Sequence, residues 1–185
     1  MTQLNDKPVF LIGYRATGKS TVARLLAERL GYDWVDADDL VEERAGKSIA
    51  AMFAEDGEPA FRELEATIVT DLCGRRRLVV ALGGGAVLRE SSRAAVPQAG
   101  PTVWLTADVE TIARRLSADQ STVSRRPSLT DAGVIAEIES VLTRREPIYR
   151  ECATFEVDTE NKTPAEVADL ILARLESQMT GTSDK

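Results

Sequence analysis

Residues 8–20, Pro8-Val9-Phe10-Leu11-Ile12-Gly13-Tyr14-Arg15-Ala16-Thr17-Gly18-Lys19-Ser20, decide the reading of this chain. Pro8–Ile12 is an unbroken apolar run, as expected of a strand buried on both faces. Gly13–Ser20 fits the pattern G-x-x-x-x-G-K-[ST]. From Ser20 to Leu30, Val22, Leu25, Leu26 and Leu30 fall on one helical face, and Gly31 closes the helix. A strand, a glycine loop and a helix in that order form a phosphate cradle. The glycines let backbone N–H groups turn inward around phosphates, and the helix points its positive end at the anion. Lys19 reaches the β- and γ-phosphates of a nucleotide, and Ser20 offers a hydroxyl to Mg²⁺. The nucleotide-binding set here is Gly13, Ala16, Thr17, Gly18, Lys19, Ser20 and Thr21. A plain glycine turn would explain neither the lysine nor the serine.

Outward from the cradle, short apolar runs alternate with helical patterns. Tyr32–Val35, Leu78–Leu82, Thr102–Leu105 and Ala153–Val157 read as further strands. Helical patterns run through Asp39–Ala45, Ser48–Glu55 and Pro59–Cys73, begin again near Asp108, and continue from Asp131 to about Arg150. Thr163-Pro164-Ala165-Glu166 opens a last helix, with Thr as cap, Pro first and Glu third. Five strands separated by helices imply an α/β three-layer sandwich around a five-stranded parallel sheet. Residues 1–185 read as a single domain. Ala118–Thr130 has no usable period and reads as a mobile lid, and the chain from about Ser177 reads as a frayed tail.

Composition narrows the chemistry. The chain has no histidine, which removes serine–histidine catalysis and the commonest metal-ligand pairs. Cys73 and Cys152 are too few for a disulfide framework or a zinc site. The net charge of −7 and the interleaving of arginines with acids argue against a nucleic-acid partner and favour small anions. No apolar run reaches the length of a membrane span, and the first residues lack a signal-peptide pattern. The expectation is a cytoplasmic protein with small-molecule partners and no membrane. An acid-rich surface is compatible with a monomer.

Asp36 and Asp38 follow the second strand, where parallel sheets place ligands. One of them can cap the next helix, which leaves the other to hold Mg²⁺ through water or to accept a hydroxyl proton. At this point the chain resembles the shikimate kinase family. The resemblance is carried by Asp36-x-Asp38, Gly46-Lys47-Ser48-Ile49 and Gly57-Glu58-Pro59-Ala60-Phe61-Arg62-x-x-Glu65. Gly83-Gly84-Gly85, Arg126-Pro127 and Arg145-Glu146-Pro147-Ile148-Tyr149 continue it in the same order, so that it covers about residues 8–176.

The resemblance implies a P-loop kinase fold and ATP-dependent phosphorylation of shikimate. It also implies roles for the matching residues. Asp38, Arg62 and Arg145 would bind shikimate, with the two arginines on its carboxylate and Asp38 on its ring hydroxyls. Gly83, Gly84 and Gly85 would let the backbone approach substrate and γ-phosphate. Ser20 and Asp36 would carry Mg²⁺, and Arg126 would swing from the lid onto the phosphates. Lys19, Asp38 and Arg126 would be the catalytic set. Arg115, Lys162 and Pro164 resemble adenine-side contacts.

Bland alternatives stand beside these. Arg62 can pair with Glu58 or Glu65 along a helix, Arg145 can stabilise a helix end, and three glycines can be an ordinary turn. The family commonly has glycine where this chain has Ala16, and Arg15 is also less usual; both are variable positions of the loop. The rival functions are another small-molecule kinase, such as a gluconate kinase, and a non-catalytic nucleotide-binding module. Asn161-Lys162-Thr163-Pro164 lacks the aspartate of a guanine-reading Asn-Lys-x-Asp.

Overall fold

A computed structural model of the chain describes residues 6–118 and 131–180. Its five strands are β1 (Val9–Ile12), β2 (Asp33–Asp36), β3 (Leu78–Ala81), β4 (Thr102–Thr106) and β5 (Phe155–Asp158). All pair in parallel, in the spatial order β2-β3-β1-β4-β5. The α-helices among the described residues are α1 (Lys19–Leu30), α2 (Ala37–Ala45), α3 (Ile49–Glu55), α4 (Gly57–Cys73), α5 (Glu90–Ala99), α6 (Val109–Ala118), α7 (Asp131–Cys152) and α8 (Pro164–Thr180).

The central strands are continuous apolar runs because both faces of the sheet are covered. Side chains alternate across a strand, so Val9, Leu11, Val79, Ala81, Val103 and Leu105 face α1 and α8. Phe10, Ile12, Leu78, Val80 and Trp104 face the opposite layer of α2–α5 and the end of α7. Strand β2 lies at one edge of the sheet and is largely polar, with Trp34 39% exposed. Helix α1 ends as expected, with Gly31 in the left-handed region at φ 65°. Thr163 and Glu166 form the reciprocal capping box of α8, Thr163 N–H donating to Glu166 Oε2 at 2.7 Å and Glu166 N–H to Thr163 Oγ1 at 3.3 Å.

Several boundaries differ from the sequence reading. Helix α2 starts at Ala37 rather than Asp39, because Asp36 is its cap. Helix α8 extends to Thr180, so 177–180 is helical rather than frayed. Helix α5 has no counterpart in the sequence pattern, because it contains Pro97. A proline within a helix withholds the N–H that would reach the carbonyl four residues earlier. Here that is the carbonyl of Arg93, and the Cys152 thiol stands 4.0 Å from it. The lid expected at 118–130, with Arg125 and Arg126, lies outside the described residues apart from Ala118, which ends α6.

Leu26 is fully buried on α1 between the sheet and α8. Leu26→Ala is expected to destabilise the protein by about 2–5 kcal/mol in urea denaturation, through lost burial and the cavity left behind.

Candidate active site

The loops after β1, β2 and β3 open at the same edge of the sheet and enclose a cavity of about 440 Å³. Its nucleotide side is the loop after β1. Gly13 has φ 137°, and a β-carbon there would stand 2.4 Å from the Leu105 carbonyl oxygen, so only glycine fits. Gly18 caps α1 in the left-handed region and brings no side chain of its own to the first N–H groups of the helix. Those donors are left for an anion. Thr17 is buried and donates its hydroxyl to the Tyr14 carbonyl at 2.8 Å, so it braces the loop from behind.

Lys19 Nζ donates to the carbonyls of Gly13 at 2.9 Å and Tyr14 at 2.8 Å. Burial lowers its pKa from 10.5 to about 8, while Asp38 and Asp36 pull it up and Arg145 pushes it down.

Ala16 sits at φ 60°, where a side chain costs about 1–2 kcal/mol relative to glycine. The departure from glycine at this position therefore has a conformational cost. Ala16 also gives its carbonyl to Arg115 Nη1 at 3.4 Å. Arg115 further donates to Thr159, through Nη1 to Oγ1 and through Nη2 to the carbonyl, each at 3.0 Å. It thus ties the phosphate loop to the turn after β5. Lys162 lies in that turn, paired with Asp158 at 3.3 Å, and Pro164 begins α8. None of Arg115, Lys162 and Pro164 lines the cavity.

Asp36 uses both of its oxygens. Oδ1 accepts the Asp38 N–H at 3.0 Å and caps α2, and Oδ2 accepts the Ser20 hydroxyl. The cap of α2 and the contact with Ser20 thus fall on one aspartate instead of being divided between two. Asp38 keeps its carboxylate in the cavity beside Lys19.

The acceptor side is built on Gly83, Gly84 and Gly85. None of the three is in the left-handed region, so the turn itself does not demand glycine. Close approach does. A β-carbon on Gly83 would lie 2.5 Å from Asp38 Oδ1 and 3.1 Å from Glu65 Oε1, and one on Gly85 would lie 2.5 Å from Arg62 Nη1. At Gly84 the nearest atom would be the Gly13 carbonyl at 3.4 Å, an ordinary contact. Two of the glycines thus make room for side chains rather than only for ligand.

Arg62 pairs with both Glu58, at 3.1 Å, and Glu65, at 2.7 Å, and still lines the cavity. The helix pairing and the cavity position hold together, and Glu65 itself lines the cavity beside Arg62. Burial works against the Arg62 charge, but Glu65 and Glu58 more than offset it and raise its pKa. Arg145 sits within α7, not at its end, and donates Nη1 to the Gly84 carbonyl at 3.0 Å. Tyr149, one turn further along, donates its hydroxyl to the same carbonyl.

The cavity therefore brings together Ala16, Gly18, Lys19, Ser20, Thr21, Asp36, Asp38, Arg62, Gly83, Gly84, Gly85 and Arg145. Sequence reasoning offered Glu65 only as a helix partner of Arg62 and gave Tyr149 no role of its own. Each lies one helical turn from an assigned arginine (Glu65 three residues after Arg62, Tyr149 four after Arg145), and that spacing was the available signal.

A family model described as shikimate kinase matches residues 15–176. The chain is 42% identical over 170 residues to the shikimate kinase of Rhodopirellula baltica, covering 92% of this chain and 91% of that one. It is 49% identical over 150 residues to the shikimate kinase of Oleidesulfovibrio alaskensis, covering 81% and 87%. Among solved structures it is similar to shikimate kinase from Acinetobacter baumannii in complex with shikimate, with a TM-score of 0.85, 31% identity, and coverage of 97% and 96%.

Two outcomes follow from the geometry. Phosphates beside Lys19 will raise its pKa, so above pH ~8 nucleotide binding must take up a proton, and affinity falls by up to about tenfold per pH unit. Calorimetry of ATP binding at pH ~9 in two buffers of different ionisation enthalpy should show uptake of close to one proton, and almost none near pH 7. Gly83→Ala and Gly85→Ala should displace Asp38 and Arg62 and weaken acceptor binding by about tenfold or more, with the melting temperature little changed. Gly84→Ala should leave acceptor binding within about threefold, because its β-carbon meets only ordinary contacts.

Proposed function

The chain belongs to the shikimate kinase family, and on that premise we infer that it transfers the γ-phosphoryl group of ATP to shikimate, giving shikimate 3-phosphate and ADP. The observation that carries this reading is the convergence of Arg62, Arg145 and Asp38 on the glycine turn, in the same cavity as Lys19 and Ser20. Two guanidiniums suit a carboxylate, since each planar fork can donate two parallel hydrogen bonds. A carboxylate beside them suits a hydroxyl that must be aimed.

In the transfer, the shikimate hydroxyl oxygen forms a bond to the γ-phosphorus. The bond from that phosphorus to the β–γ bridging oxygen breaks, and its electron pair stays on ADP. Asp38 holds the hydroxyl in line and receives its proton. Lys19 and the N–H groups at the start of α1 stabilise the oxygens that gain charge.

Ser20 and Asp36 fit Mg²⁺. They are hard oxygen donors, already hydrogen-bonded to each other and next to the phosphate loop. Among the described residues no group of three acidic, cysteine or histidine side chains forms a metal cage. Two donors match an ion that keeps waters and arrives with nucleotide. When bound, Mg²⁺ neutralises phosphate charge.

Arg126 is assigned to the phosphates, and Arg115, Lys162 and Pro164 to the adenine side, by their place in the family motif. Thr17 and Gly13 act by shaping the loop. No helix among the described residues is long and apolar enough to cross a membrane; the enzyme is read as cytoplasmic by its family. The acidic surface is consistent with a monomer that binds small anions and no nucleic acid.

ADP release should be measured with ATP, Mg²⁺ and shikimate, quinate, gluconate or AMP offered separately. Turnover with shikimate alone is expected; turnover with gluconate or AMP instead would discard the acceptor assignment. Asp38→Asn should lower kcat by roughly 10²- to 10⁴-fold with shikimate binding largely kept. Arg145→Ala should raise the shikimate KM by roughly 10- to 150-fold, the loss of charge-assisted hydrogen bonds of about 1.5–3 kcal/mol. Arg62→Ala should weaken shikimate binding too, but it also strips the buried Glu65 of a cation, so a lowered melting temperature accompanies it.

A further inference from the structure

Arg15 brings another guanidinium to the cavity wall, and the transfer described above makes no use of it. Its surroundings differ from those of the other two. Arg62 is held by two carboxylates and Arg145 by a carbonyl. Arg15 Nη2 stands 3.6 Å from Glu137 Oε1 on α7, too far for a hydrogen bond. Arg15 Nε is closed off from solvent and has no hydrogen-bond partner, and it is the only buried side-chain nitrogen or oxygen among the described residues left so. In a planar guanidinium Nε–H and Nη2–H lie along one edge, the edge that pairs side-on with phosphate. On that edge Nε–H is unsatisfied, and Nη2 has only the long contact with Glu137. A buried donor without an acceptor is costly, so the arrangement is poised for an oxyanion.

Its position says which one. The Arg15 backbone nitrogen and Arg145 Nη1 would each lie 3.6 Å from a β-carbon on Gly84, so Arg15 adjoins the acceptor turn. On its other side Lys19 is held by the carbonyls of Gly13 and Tyr14, the two residues just before it. Arg15 therefore stands at the seam between the phosphate loop and the acceptor side, which a phosphoryl group must cross. The frame around it is firm. Tyr14, beside Arg15, and Ile138, beside Glu137, pack in one apolar cluster with Ile112, Leu116 and Leu142. Only the side chain has to move.

We propose that Arg15 is a further catalytic residue of this kinase, one that leaves Glu137 and donates its Nε–Nη2 edge to the oxygens of the phosphoryl group in transit. The proposal rests on the shikimate kinase reading. Phosphoryl transfer spreads negative charge over those oxygens, and a guanidinium that meets them there lowers the barrier. Glu137 serves as a weak holding partner, since a loose, half-exposed pair is easily exchanged.

Wild-type turnover with shikimate comes first and tests the family reading by itself. Given that turnover, Arg15→Met keeps the stem and removes the charge. It should lower kcat by roughly 10²-fold, with the shikimate KM changed less than about threefold and the melting temperature unchanged. Arg15→Lys, a cation without the fork, should recover only part of the loss. ADP, Mg²⁺, shikimate and aluminium fluoride together mimic the phosphoryl group in transit, and calorimetry should show their fluoride-dependent tightening reduced in Arg15→Met. Glu137→Gln should move the other way, toward tighter fluoride-dependent binding, because the competing carboxylate is gone. Wild-type kcat in Arg15→Met would overturn the proposal. So would equal losses of kcat and melting temperature in Arg15→Met and Glu137→Gln, which would make the pair a brace.

Discussion

The site depends on a turn without side chains. Gly83 and Gly85 leave space that Asp38 and Arg62 occupy, at separations no β-carbon would allow. Between them the Gly84 carbonyl collects Arg145 from α7 and Tyr149 one turn on. Groups from β2–α2, α4 and α7 therefore converge on three residues at the end of one buried strand. The same turn faces the phosphate loop, where Gly13 is locked against the Leu105 carbonyl. Two guanidiniums, a carboxylate and the glycine loop after β1 thus line one cavity. Proximity of this kind is much of what an enzyme can offer to phosphoryl transfer, in which the protein makes few covalent bonds.

Charge inside the cavity is held ready rather than neutralised. The protein is acidic overall, yet Lys19, Arg62, Arg145 and Arg15 all face one cavity. Each has a local partner that keeps it in place. Lys19 rests on loop carbonyls, which are weak substitutes for phosphate oxygens, and burial makes its proton easier to lose than in water. Arg62 is fixed by Glu65, which is nearly closed to solvent, and by the exposed Glu58. A firm partner fixes the orientation of a guanidinium in advance, which lowers the ordering cost of any anion it binds.

Much of this was legible in the sequence because it follows from period and spacing. Continuous apolar runs mark strands covered on both faces, and the phosphate loop fits its pattern between a strand and a helix. Edge strand β2 was also found, though its boundaries shifted by one residue because a polar edge has no sharp limits. What the sequence hid was compatibility between readings that compete on paper. Arg62 is both a helix-surface ion pair and a cavity residue, and Asp36 both caps α2 and meets Ser20. One-dimensional spacing cannot show that one side chain has two faces or two oxygens in use. The purpose of Gly83 and Gly85 was hidden for a related reason, since the atoms that crowd them come from α2 and α4. Helix α5 was missed because Pro97 breaks the pattern while the packed tertiary structure tolerates it.

The central claim is that the arginines over the glycine turn and the cradle after β1 form one reaction site. A crystal structure of the protein with ADP and shikimate tests this most directly. The account predicts the shikimate carboxylate within hydrogen-bond distance of Arg62 and Arg145, a ring hydroxyl at Asp38, and the ADP phosphates on Lys19 and the start of α1. Shikimate bound elsewhere, or bound with Arg62 still satisfied only by Glu58 and Glu65 and its carboxylate in solvent, would contradict it.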